Sequence, residues 1–313
     1  MIDPELATFI ATPPPNDIDD VAATRRLLAA LTEEEVAQRD SPPPGLGWHD
    51  EVIEVDHDTT RVPIRIYWNM ESTGPSGALL FFHGGAFVFG NLESEHLRCV
   101  RFAERAGCVV VSVDYRLAPE HPYPAAIDDG GIVLEWLRRN AESLMVDTER
   151  IGVGGTSAGG ALAAGLVLRT RDRQGPWLRA QLLIYPAIDN QASTPSVDQF
   201  YRAQPWDGER TRKMWKAYLG DRGGDVSPYA SVARATNLSS LPPTYVMTAE
   251  EDPLRDEAIV YAQRLLAARN AVELHLYAGT YHGFDAVAQG STLSELALEE
   301  QVTFLKRELG EAT

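Results

Sequence analysis

Ile151-Gly152-Val153-Gly154-Gly155-Thr156-Ser157-Ala158-Gly159-Gly160-Ala161-Leu162-Ala163-Ala164 carries the pattern G-x-S-x-G, formed by Gly155, Ser157 and Gly159. An apolar strand enters it and an Ala-rich helix leaves it. A serine on so sharp a strand-to-helix turn has a strained backbone, and its two flanking glycines leave room where a Cβ would collide. The turn exposes the Ser157 hydroxyl at the strand tip, beside the positive end of a helix. The bare pattern also suits a Gly-rich turn with a solvent-facing serine. The rest of the chain decides between the two, by supplying or lacking a base, an acid and an oxyanion hole.

Around this stretch the apolar runs are short and continuous. Ala78-Leu79-Leu80-Phe81-Phe82, Val109-Val110-Val111-Ser112-Val113, Leu182-Leu183-Ile184 and Tyr245-Val246-Met247 suit parallel strands buried on both faces. Helical segments near 92–106, 124–139, 158–172, 254–268 and 294–308 separate them. The alternation predicts a doubly wound α/β sheet, whose ligands lie at the carboxyl ends of the strands, where Ser157 would sit. Before these runs come two alternating strands. In the second, Val62, Ile64 and Ile66 face one way and Arg61, Pro63 and Arg65 the other. With a turn at Asp58-Thr59-Thr60 they read as an antiparallel hairpin at a sheet edge.

Residues 1–45 differ in character from the rest of the chain. Pro13-Pro14-Pro15 precedes a helix expected to open at Asn16 or Asp17, with Ile18, Val21, Leu27, Leu28 and Leu31 as its apolar stripe. Thr32-Glu33-Glu34-Glu35 reads as a capping box for a second short helix, stopped by Pro42-Pro43-Pro44-Gly45. Residues 190–225 also break the rhythm, being turn-rich yet carrying Phe200, Tyr201, Trp206, Met214, Trp215 and Tyr218. A helical cap built from 1–45 and approximately 190–225 is expected over a catalytic domain of 46–189 and 226–313.

Bulk composition narrows the classes of function. Forty-five acids against 28 Lys and Arg give a net charge of −17, which disfavours nucleic acid and anionic membrane surfaces as partners. No apolar run is long enough to span a membrane, and Met1-Ile2-Asp3-Pro4-Glu5 lacks the apolar core of a signal peptide. The two cysteines, Cys99 and Cys108, read as buried or half-buried thiols of a reducing cytoplasm, the expected location. No metal-ligand spacing appears, so a metal site has no support.

Serine-mediated acyl transfer needs a base, an oriented carboxylate and fixed N–H donors for the oxyanion. Of seven histidines, His282 follows the strand Glu273–Tyr277 and precedes the last helix, at the sheet edge of Ser157. Glu250, Glu251, Asp252 and Asp256 all follow the strand Thr244–Met247, and spacing alone does not choose among them. The order nucleophile, acid, histidine is that of α/β-hydrolases. His83-Gly84-Gly85-Ala86-Phe87 directly follows the strand Leu79–Phe82, and consecutive glycines let the backbone turn its N–H groups inward. The Ala158 N–H, just past the nucleophile, adds another donor.

Four motifs together resemble the bacterial hormone-sensitive-lipase-like esterase family: His83–Phe87; Asp114-Tyr115-Arg116-Leu117-Ala118-Pro119-Glu120-His121-Pro122-Tyr123-Pro124-Ala125-Ala126; Gly155–Gly160; and Asp252-Pro253-Leu254-Arg255-Asp256-Glu257 with His282-Gly283-Phe284. The resemblance implies an α/β-hydrolase, with a mostly parallel eight-stranded sheet flanked by helices and a helical cap. It implies Ser157 as nucleophile, Asp252 as acid, His282 as base, and donors at Gly84, Gly85 and Ala158. The implied activity is cofactor-free hydrolysis of short- to medium-chain esters. Thr156 stands where many members have aspartate, so the chain is similar to the GTSAG branch, whose members are often dimeric. Ala86 replaces a glycine, a change of little cost unless position 86 needs a positive φ. Asp114 and Arg116 are expected to pair with each other, fixing the loop beneath the oxyanion turn. Phe87, Val88, Phe89, Trp206 and Trp215 are candidate pocket residues, with cap core as the other reading of each. Two alternatives to an esterase remain on the motifs alone: a small-molecule receptor on the same fold, and an amide, carbamate or formamide hydrolase.

Overall fold

Leu79 and Phe81 fall in one apolar cluster, and Ala78, Leu80 and Phe82 in another. Alternate side chains of one strand therefore bury on opposite faces, which is why the run reads as apolar throughout. The computed structural model describes residues 1–11, 15–37, 43–55, 60–220 and 225–310. Its strands are β1 Leu46–Glu54, β2 Arg61–Asn69, β3 Ser76–Phe82, β4 Val109–Val113, β5 Val146–Thr156, β6 Ala180–Ile184, β7 Thr244–Glu251 and β8 Val272–Tyr281. Its α-helices are α1 Pro4–Ala7, α2 Val21–Ala37, α3 His96–Ala106, α4 Ala125–Arg139, α5 Ala158–Asp172, α6 Pro195–Gln199, α7 Gly208–Leu219, α8 Arg255–Ala267, α9 Phe284–Val287 and α10 Thr292–Leu309.

The strands form one sheet in the order β1-β2-β4-β3-β5-β6-β7-β8. β1 and β2 are antiparallel, as are β2 and β4, and every later pairing is parallel. One face packs on α4, α5 and α8 through residues such as Leu137, Leu166 and Leu265. The other packs on α3 and α10 through Phe102 and Phe304. This is the mostly parallel, helix-flanked sheet that the alternation predicts. β5 lies inside it, between β3 and β6, so Ser157 emerges at the middle of the carboxyl edge.

The N-terminal reading needs correction. The helix starts at Val21, not at Asn16 or Asp17, because the Asp20 carboxylate accepts from the Ala23 N–H at 2.9 Å. Thr32-Glu33-Glu34 does not open a second helix but continues α2, since a capping-box sequence also makes good helix interior. Ile18, Val21 and Leu28 of the expected stripe pack on the core, whereas Leu27 and Leu31 are exposed. Pro13-Pro14, Pro42 and the Asp58-Thr59 turn lie outside the described residues.

Candidate active site

The turn after β5 holds Ser157 at φ 53° and ψ −116°, outside the ordinary regions for a residue with a Cβ. Its N–H donates to Ile184 O at 2.9 Å, and its carbonyl accepts from Ala187 N at 3.1 Å. The flanking glycines are sterically required. A Cβ on Gly159 would lie 2.1 Å from Phe82 O and 2.4 Å from His83 O, and one on Gly155 would lie 2.4 Å from Gly159 O. Gly159→Ala is accordingly expected to lower stability by about 3 kcal/mol or more, since a backbone obstacle cannot swing aside as a side chain can. A denaturant midpoint within error of the parent would show that the elbow gives way instead.

Ser157 is 7% exposed, and its Oγ lies 3.0 Å from His282 Nε2. His282 Nδ1 lies 2.8 Å from Asp252 Oδ2, and Asp252 is fully buried. The other Asp252 oxygen accepts from Leu254 N at 2.8 Å, which fixes the carboxylate plane. The other three acids are engaged elsewhere. Glu250 accepts from Gly279 N, Glu251 pairs with the amino terminus, and Asp256 accepts from Ser196 N.

Gly84 and Gly85 pass beside Ser157, and their N–H groups and that of Ala158 find no acceptor among the described residues. Ala158 opens α5, where unpaired N–H groups gather. His83 is fully buried and stacks on Tyr115 at 4.2 Å. Burial lowers its pKa to about 4, leaving a neutral ring whose Nδ1 donates to Gly84 O at 2.6 Å. Ala86 does adopt a positive φ, 57°, and Phe87 one of 61°. The alanine there is therefore strained, by about 1–2 kcal/mol. Val88 N and Phe89 N, both donating to Gly85 O, and Ala118 N, donating to Phe87 O, hold the loop in that shape.

Arg116 does pair beneath this loop, but with Asp129 and not Asp114: its Nη2 lies 2.7 Å from Asp129 Oδ1. Burial, and then the Asp129 charge, push Asp114 up to about 6.

A cavity of about 470 Å³ opens over Ser157 and His282. The loops after β3 and β6 supply Gly84, Gly85 and Tyr185; α2 supplies Arg25 and Leu28; the insertion supplies Trp206. Of the five candidate pocket residues, Phe89 and Trp206 line it. Phe87, Val88 and Trp215 are buried away from it, with Phe87 stacked on Tyr218 at 3.8 Å and 5.5 Å from the Trp215 ring. The positive φ of Phe87 turns its side chain toward α7 and not into the site. Sequence reasoning misses two contributors. Arg25 pins α2 to the loop after β3 by donating to Val88 O and Ala118 O, each at 2.7 Å. Glu95 lines the cavity beside Thr156. Its only sequence signal is an acid at the N-cap position of α3, three residues before Arg98.

Residues 79–286 match a family described as alpha/beta hydrolase fold. The chain belongs to the hormone-sensitive-lipase-like carboxylesterases of that fold. This esterase is 39% identical over 236 residues to Esterase LipI of Mycobacterium tuberculosis, covering 74% of this chain and 73% of the relative. It is 38% identical to Carboxylesterase NlhH of the same organism, with 72% of each chain covered. The solved structure described as Bacterial Heroin Esterase superimposes with a TM-score of 0.93 at 38% identity, covering 99% of the esterase and 98% of that chain. The esterase thus hydrolyses carboxylic esters as a serine hydrolase. Among its described residues no helix is long and apolar enough to cross a membrane.

Proposed function

We propose that Ser157 attacks the ester carbonyl while His282 takes its proton. His282 returns that proton to the leaving alcohol, and a water activated the same way then releases the acid from the acyl-enzyme. Asp252 holds the imidazole with its proton on Nδ1 and offsets the charge that develops on the ring. The N–H groups of Gly84, Gly85 and Ala158 receive the oxyanion. The observation that carries this reading is the hydrogen-bonded line Asp252–His282–Ser157, 2.8 and 3.0 Å long, ending at the cavity.

On the same reading residues 1–45 and approximately 190–225 act as a cap. The Asn16 side-chain amide donates to Pro205 O and Lys213 pairs with Asp19, so the two segments meet over the site. A cavity of about 470 Å³ closed by such a cap supports short- to medium-chain acyl esters as substrates. Two buried free thiols, Cys99 and Cys108, support a reducing, cytoplasmic location. The edge strand β8, with Leu274 and Leu276 exposed, supports a homodimer of the GTSAG branch.

A fluorophosphonate is expected to label the protein once, at Ser157; a label on another residue overturns the assignment. Across p-nitrophenyl acetate, butyrate, octanoate and palmitate, palmitate is expected to be at least about tenfold poorer than butyrate in kcat/KM. A maximum on palmitate would replace the short-chain reading with a lipase.

A further inference from the structure

Thr156 does no chemistry in this mechanism, yet it is 1% exposed and tightly held. Its Oγ1 donates to Glu95 Oε1 at 2.6 Å. A Cβ on Gly84 would sit 3.1 Å from that Oγ1, so the oxyanion turn closes directly onto the threonine. Glu95 is 8% exposed, and its second oxygen accepts from Arg98 Nε at 2.7 Å. Arg98 reaches onward, its Nη1 donating to Asp285 Oδ2 at 2.9 Å and to Gln301 Oε1 at 3.0 Å. Asp285 Oδ1 accepts from the Tyr185 hydroxyl at 2.9 Å. The Tyr185 ring stands edge-on to the His282 imidazole, 4.8 Å away at 64°.

We propose that this buried line, Thr156–Glu95–Arg98–Asp285–Tyr185, is a frame that keeps Ser157 and the His282 ring in register, with Thr156 and Glu95 as positioning residues for ester hydrolysis. It rests on the reading of Ser157 and His282 as nucleophile and base. Both ends of that pair need outside support. Ser157 keeps a backbone conformation that persists only where its surroundings over-determine it. The side chain of the preceding residue is the nearest handle on that turn. His282 is fixed by Asp252 at one ring nitrogen, which leaves rotation about that axis to be limited by packing, and Tyr185 packs nearer to the ring, at 4.8 Å, than Trp206 does, at 6.3 Å.

The frame is stiff because its links are charged and buried. Burial opposes the Arg98 charge, but Asp285 and Glu95 on its two sides more than offset this, and its pKa lies well above the ordinary guanidinium value. Losing either carboxylate partner would leave the other charges uncompensated in the interior. The frame also accounts for a threonine at 156. Glu95 is acceptor-only when ionised, so its neighbour must donate. An aspartate at 156 would set two carboxylates against each other unless they shared a proton. Thr156→Asp is therefore expected to lower rate or stability without changing the reaction class.

The test measures kcat and KM on p-nitrophenyl butyrate, with melting temperature, for the parent, Thr156→Val, Thr156→Ser, Glu95→Gln, Asp285→Asn and the Thr156→Val/Asp285→Asn pair. Thr156→Val, close in shape but without the hydroxyl, is expected to lose about 10- to 100-fold in kcat, the loss typical of a small displacement of reacting groups. Its KM should stay within about twofold, because valine keeps the shape that threonine gives the cavity wall. Thr156→Ser restores the donor and should recover kcat to within about threefold of the parent. Asp285→Asn, at the far end, should lower kcat as well, and the pair should lose less than the product of the single losses. A merely structural role would move the melting temperature and leave kcat of the folded protein alone. Parent-like kcat in Thr156→Val, or single losses that multiply, overturns the frame. Should Thr156→Val fail to fold, Glu95→Gln decides: a lowered kcat sustains the frame and an unchanged one overturns it. Fluorophosphonate labelling of the parent separates the two levels. A parent that is not labelled at Ser157 removes the nucleophile reading itself, whereas a labelled parent with fully active Thr156→Val removes only the frame.

Discussion

Ser157→Ala is expected to lower kcat on p-nitrophenyl butyrate by about 10⁶-fold, the scale seen when the nucleophile of a serine triad is removed. Alanine keeps the Cβ and meets the same backbone demand at φ 53°. The hydroxyl it removes faces the cavity and His282, so the core loses nothing. Melting temperature should therefore stay within error of the parent, and fluorophosphonate labelling should vanish. What remains is the set of N–H groups at Gly84, Gly85 and Ala158, which can still polarise a bound ester and leave about 10³–10⁴-fold over water. A folded variant that kept more than about 1% of parental kcat would remove Ser157 from the chemistry.

How much of this is legible in the sequence depends on where each signal resides. β3 and β4 are readable because burial on both faces makes them continuous apolar runs, and Ser157, His282 and the Gly84-Gly85 pair because each belongs to a local strand-end turn. Strand order is not readable. β4 lies between β2 and β3, so two strands adjacent in sequence are separated in space, and periodicity carries no record of that crossover. Asp252 stands among four nearby acids; only the carboxylate's position on the turn after β7 decides which one meets His282, and family resemblance, not spacing, singles it out. Aromatic content in residues 190–225 says that rings will be buried but not on which side, so Trp206 reaches the cavity while Trp215 goes into the core. Arg116 finds Asp129 instead of Asp114 because α4 folds back onto the loop, a contact between distant turns with no local signature. Glu95 is hidden for the same reason: its meaning depends on Thr156, 61 positions further on.

Asp252→Asn is expected to lower kcat by about 10⁴-fold while KM changes little, a loss of the kind caused by trapping the histidine in the wrong tautomer. The site leaves the amide no good choice. Asp252 uses both oxygens as acceptors, one for His282 Nδ1 and one for Leu254 N, and it is fully buried. Asparagine has one acceptor and one donor group. If its oxygen stays on Leu254 N, its NH₂ faces Nδ1, which must then accept. The imidazole proton moves to Nε2 and points at the Ser157 hydroxyl, so the ring has no lone pair for the serine proton that the proposed mechanism assigns to it. If the amide flips, its oxygen keeps the productive tautomer but its NH₂ meets the Leu254 N–H, donor against donor in a fully buried place, at a cost of about 1–3 kcal/mol. In that orientation the imidazolium that forms during attack also lacks its counter-charge. The variant should therefore still react with fluorophosphonate at Ser157, but slowly, which distinguishes it from Ser157→Ala, where no adduct forms. A kcat within about tenfold of the parent would mean that another group orients His282. Tyr185, edge-on to the imidazole, would be the first side chain to replace in the Asp252→Asn background.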